Sequence, residues 1–281
     1  MPASQITLVQ QPADSKIFLV DIALGQQPVA VNKPLTITQR KGYNNQPSFT
    51  PDGTGLLYTA MLTDGQTDIY RYDLQSTTTT QLTRTPESEY SPTITPDQAH
   101  FSVVRVEKDQ TQRLWQFPVT GTGEPTLVLD KVKPVGYHCW LDDDGLALFI
   151  LGKPNSLQLV RVSTGDTIRV ATNIGRAIRS VPSRNAISFV HKQTPTDWTI
   201  SQLDLKTRQI TTITQTLDGS EDFVWTPDGT LLMCRGAILY QCKPAKSTNW
   251  IQLADFSDSG IRQLTRLAID ASGKKLALVG Q

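Results

Sequence analysis

Few side chains in this 281-residue chain could carry chemistry: it has three histidines, and 26 acidic against 27 basic residues. His138, His191 and Arg235, with the adjacent carboxylates Glu221 and Asp222, would make an imidazole, guanidinium and carboxylate set. In a concave, partly desolvated mouth such a set has shifted pKa values and can bind an anion or move protons. It could equally be an ion-paired network that ties structural elements together. Glu89, Tyr137, Asn45 and Arg262 would add a carboxylate, a phenol, an amide and a second guanidinium around it. The histidines and acids stand at no short metal-ligand spacing. Asp142-Asp143-Asp144 lacks the further ligands of an EF-hand loop. No metal or other cofactor is therefore expected, with calcium or another divalent ion as the alternative.

These residues are far apart in sequence, so a repeated architecture must gather them. Thr50-Pro51-Asp52-Gly53-Thr54 is one copy of a block that returns around Asp97, Asp143, Arg184, Asp228 and Ser272, at steps of 45, 46, 41, 44 and 44 residues. Each copy reads as an apolar strand, a Pro-Asp-Gly-type turn and a second apolar strand. A period of about 40–45 residues is that of four-stranded propeller blades. Complete blades are expected over 44–84, 88–130, 134–172, 174–214 and 218–254. Leu267–Ile269 and Leu276–Val279 then end the chain as first and second strands, while Lys16–Ile22 and Pro28–Val31 stand surplus at its start. If that pair completes the last blade, no sheet edge is left open at the closure. The expectation is an all-β, six-bladed propeller of four antiparallel strands per blade, one domain over 1–281, closed by its two N-terminal strands.

In such a ring the starts of the first strands and the ends of the second strands share one face. The entry positions are Asn44-Asn45-Gln46, Glu89-Tyr90-Ser91, Gly136-Tyr137-His138, Arg176-Ala177-Ile178, Ser220-Glu221-Asp222 and Leu264-Thr265-Arg266. At the second-strand ends Ala60, Val104, Leu151 and Gly280 are small or apolar, whereas His191 and Arg235 break the pattern on neighbouring blades. This places them beside Glu221 and Asp222. The repeated aspartates lie at the opposite face, where they shape turns.

The run Pro47-Ser48-Phe49-Thr50-Pro51-Asp52-Gly53, an apolar strand, Asp68-Ile69-Tyr70-Arg71-Tyr72-Asp73-Leu74 and then Gln81-Leu82-Thr83 resembles the TolB-type, WD40-like β-propeller repeat. The likeness covers nearly the whole chain and is weakest in the fourth blade, where Pro182-Ser183-Arg184-Asn185 has lost the acid and the glycine. TolB itself carries an α/β domain ahead of its propeller, for which this chain has no room. The resemblance implies a periplasmic or other extracytoplasmic location, although no signal-peptide pattern opens the sequence. The same repeat also accompanies serine-peptidase domains, but no Gly-x-Ser-x-Gly elbow occurs here.

A net charge of +1 offers no basic stripe for nucleic acid. No apolar run approaches the ~20 residues that span a bilayer. If Cys234 pairs across its hairpin with Leu239, Cys242 falls opposite Leu231, and the two sulfurs face opposite sides, a geometry that disfavours a disulfide. The reading that follows is a monomeric, non-catalytic binding or scaffold propeller, presenting a polar funnel mouth to a protein, peptide or carbohydrate-type ligand. The alternative is a small-molecule hydrolase or lyase, lactonase-like and with or without a metal, working in the same funnel.

Overall fold

A computed structural model describes residues 14–23, 30–62 and 65–281. They form six four-stranded antiparallel sheets arranged as the blades of a ring. Blade 1 comprises Asn44–Phe49, Gly55–Met61, Thr67–Asp73 and Thr79–Gln81. Blade 2 comprises Ser88–Ile94, His100–Val106, Gln112–Pro118 and Thr126–Leu127. Blade 3 comprises Val135–Trp140, Gly145–Ile150, Ser156–Arg161 and Thr167–Thr172. Blade 4 comprises Ile174–Ser180, Ala186–Lys192, Trp198–Asp204 and Ile210–Gln215. Blade 5 comprises Phe223–Trp225, Leu231–Arg235, Ile238–Cys242 and Ile251–Asp255.

Blade 6 is composite. Leu264–Ile269 and Lys275–Gly280 from the end of the chain are joined by Lys16–Ala23 from its beginning, with Ile17 opposite Val279 and Asp21 opposite Lys275. Its outer strand is split into Ala30–Val31 and Leu35–Thr36, both paired to Lys16–Ala23. The expected closure is therefore present. Residues 1–13 and Pro28–Val29, which also figured in that expectation, lie outside the described residues.

The blades pack through apolar side chains that alternate along each strand, one cluster to a seam. Leu57 and Ile69 of blade 1 meet Phe101, Val103 and Phe117 of blade 2. Val190 and Ile200 of blade 4 meet Phe223, Leu231 and Met233 of blade 5. Strand alternation also settles the cysteines: Cys234 faces Leu239, Cys242 faces Leu231, and all three cysteines are free.

The turn aspartates do what their position suggests. Asp52 Oδ1 accepts from Thr50 Oγ1 and, at 3.0 Å, from the Thr54 N–H. Asp97 and Asp228 repeat the contact with Thr95 and Thr226. Blade 4, lacking both the acid and the glycine, puts Ser183 at φ 58 instead.

The first strands matter most for function, because they line the central channel and five of them are irregular near the start. Their registers shift at Asn45/Ser48, Tyr90/Thr93, Val135/Tyr137, Ile174/Ile178 and Leu264/Arg266. Bulges re-aim side chains and end regular pairing. Gln46 and Ser91 take φ of 56 and 55 there, a region costly for residues with a Cβ. The Gln46 carboxamide oxygen compensates by accepting from the Ser91 N–H and the Thr59 hydroxyl, each at 2.9 Å.

Candidate functional site

The re-aimed strand starts of blades 3, 4 and 6 meet the regular start of blade 5 in the channel. Arg266 of blade 6 donates through Nη2 to the Tyr137 phenol of blade 3 at 2.7 Å, and its guanidinium lies 5.1 Å from the centre of that ring. Blades 3 and 6 are opposite one another in a ring of six, so this contact spans the channel. Arg176 of blade 4 makes a second long reach, donating through Nη2 to the Thr265 carbonyl of blade 6 at 2.9 Å.

Between these struts sits Asp222, with its side chain 5% exposed. Its Oδ2 accepts from Arg176 Nε at 2.5 Å. Arg179 Nη2 and Arg266 Nη1 stand 3.9 Å from its two oxygens, close enough for ion pairing and too far for a hydrogen bond. Burial pushes the Asp222 carboxyl upward, but the charges of Arg176, Arg266 and Arg179 outweigh it and hold the group below the usual carboxylate range. Next to it, Glu221 pairs with Lys192 and accepts from the Arg176 backbone N–H at 3.2 Å. Tyr43, buried at the start of blade 1, feels Arg266, Tyr137, Tyr90 and Arg176, and burial pushes its phenol up, so it stays neutral.

The nine residues picked from the sequence are dispersed around this centre. Asp222, Glu221 and Tyr137 belong to it. His138 makes its contacts at the seam with blade 2, where Nε2 lies 2.7 Å from the Ser102 hydroxyl, which also accepts from Trp140 Nε1 at 2.9 Å. Burial pushes that imidazole down to about 4, and its Nδ1 has no partner among the described residues. His191 packs against Phe189, ring centres 5.7 Å apart, in the seam between blades 3 and 4. Arg235 is exposed and lies over Tyr240 at 5.6 Å. Arg262 is exposed, with its backbone N–H on the Gln281 carbonyl at 2.7 Å. Asn45 is buried and its carboxamide accepts from the Gln46 N–H at 2.8 Å.

Glu89 is fully buried between blades 1 and 2, taking the Thr85 hydroxyl and lying 3.6 Å from Arg105 Nε. Arg105 is engaged more closely by Glu87. Burial, with Asp68 adding like charge, pushes Glu89 up to about 8.

Sequence reasoning reached Arg176 and Arg266 as strand entries without choosing them, and it missed Arg179, Tyr43 and Lys192. A signal existed for the two strand entries. Arg176 and Arg266 are the cations among the entry positions, and opposite charge at such positions is what a buried Asp222 requires. Among the described residues no three His, Cys, Asp or Glu side chains gather so as to hold a metal ion.

No protein-family model matches the chain. Among solved structures it is similar to a protein assigned as TolB from Agrobacterium tumefaciens, at 16% identity and a TM-score of 0.75, covering 96% of this chain and 98% of that one. TolB from Acinetobacter baumannii matches at 14% identity and 0.58, covering 96% of this chain and 64% of that one. An oligogalacturonate lyase in complex with manganese matches at 16% and 0.58, covering 88% and 79%. At these identities the likeness is one of fold, and the fold is the TolB-type six-bladed propeller.

Proposed function

We propose that this protein is a non-catalytic binding propeller that presents the polar mouth of its channel to a protein, peptide or carbohydrate-type ligand. One observation carries the reading: Tyr137, Arg176, Asp222 and Arg266 hold one another across the ring. Side chains fixed this way form a preorganised polar surface, which lowers the ordering cost of binding. The same contacts leave little for acid–base work. A carboxylate held ionised by three guanidinium groups is a weak base. Glu89 has a pKa suited to a general acid, but its carboxyl is sealed inside a seam.

The lyase or hydrolase reading draws on the oligogalacturonate lyase of the same fold, which is an analogy of fold alone. The TolB likeness supports an extracytoplasmic location on the same footing, and among the described residues no helix is long and apolar enough to cross a membrane. A closed blade 6 needs no second chain to complete it, which supports a monomer. The test is to probe glycan and peptide arrays with the purified chain and with Tyr137→Ala, then to follow each captured ligand by mass spectrometry. Retention without conversion, lost in the variant, is the expected result. Conversion of a captured ligand, or capture that Tyr137→Ala leaves unchanged, would overturn it.

A further inference from the structure

Resting on the reading of the channel as a ligand site, we propose that it takes the anionic group, carboxylate or phosphate, of a small polar ligand, held by Arg179 and Arg266 beside Asp222. The first argument is charge. Three guanidinium groups, Arg176, Arg179 and Arg266, converge on the single carboxylate of Asp222. The neighbouring Glu221 does not redress the balance, because Lys192 pairs with it. Tyr43 is kept neutral by burial. The cluster therefore carries a surplus of two positive charges, in a place where Arg266 is only 13% exposed. Cations drawn together out of water repel, and an anion among them offsets that repulsion.

The second argument is donors. Arg176 has committed Nε to Asp222 and Nη2 to the Thr265 carbonyl. Among the described residues Arg179 has committed only Nη1, to the Ile178 carbonyl at 3.1 Å, and Arg266 only Nη2, to Tyr137. Both stand at 3.9 Å from Asp222 without a hydrogen bond to it. Each keeps N–H donors that no acceptor among the described residues takes. Guanidinium donors in a planar fork suit the paired oxygens of a carboxylate or phosphate. The Arg266–Tyr137 strut spans the channel and sets a limit to how far a ligand can thread.

The test is titration calorimetry on the full chain at low salt with glucuronate, glucose 6-phosphate and glucose. At least one of the two anions binds, more weakly as salt is raised, and glucose does not; the pair of anions distinguishes a carboxylate source from a phosphate source. Arg179→Gln weakens the bound anion by about tenfold or more, the effect of losing a charge-assisted hydrogen bond. Arg179→Lys recovers part of that loss, and the melting temperature of both variants stays near that of the parent. The proposal fails if neither anion binds, if glucose binds as tightly, if salt has no effect, or if Arg179→Gln leaves the affinity unchanged. Should array ligands prove neutral and still depend on Tyr137, this charge inference fails while the binding reading stands.

Discussion

Two buried carboxyl groups of this ring meet opposite fates. Glu89 sits in the seam of blades 1 and 2 and Asp222 at the channel edge of blade 5, both almost without exposure. Burial pushes each toward the protonated form. Around Glu89 that push prevails, because the neighbouring cation, Arg105, is engaged by Glu87 and because Asp68 adds like charge. Asp68 is itself raised, chiefly by burial, and a proton held between two such carboxyls relieves their repulsion. Around Asp222 three guanidinium groups reverse the outcome. Equal burial thus gives a neutral acid in one half of the molecule and a fixed anion in the other, and the number of uncommitted cations decides which.

The largest effect is expected from Asp222→Ala. It leaves three partly buried guanidinium groups without a counter-charge, and a loss of about 3–5 kcal/mol is expected by urea unfolding. Glu89 gives the next effect, through pH. Its folded pKa, about 8, lies above the ordinary 4.5, so its stabilisation is complete below the ordinary value and is lost as pH rises toward 8. His138 works in the opposite sense: lowered from 6.5 to about 4, it costs stability as pH falls from 6.5 toward 4. Between pH 6.5 and 8 only the acid contributes, and Glu89→Gln should flatten a decline there on the order of 2 kcal/mol. An unchanged slope in the variant would show Glu89 to be ionised in the native protein.

Tyr137→Phe tests the strut alone. Losing a hydrogen bond to a charged donor should cost about 1.5 kcal/mol, read by the same unfolding curves. The smallest effect belongs to Arg235→Ala, whose side chain is exposed over Tyr240. Its stability should stay within about 0.5 kcal/mol of the parent.

The architecture was legible in the sequence because it rests on local and periodic signals. Pro-Asp-Gly turns at near-constant spacing mark hairpins, alternation marks the strands, and unmatched strands at the two ends identify the composite blade. Even the Cys234–Leu239 register followed from counting across one turn. The site was legible only in part. Asp222, Glu221 and Tyr137 stood out by type and strand position, whereas His138 and His191 face seams. Which seam a side chain enters depends on one-residue register shifts at the strand starts, such as that between Val135 and Tyr137, and these follow no short motif.

The blade is encoded locally, since every contact that defines a blade joins strands close in the chain, the closing pair excepted. The centre of the ring exists only once the whole fold has assembled. Arg266 and Tyr137 are 129 residues apart and Arg176 and Thr265 are 89 apart, and neither pair shares a strand or a turn. They meet because six blades close a channel narrow enough for a guanidinium to cross. That width is set by how all six seams pack together, and no single repeat encodes it.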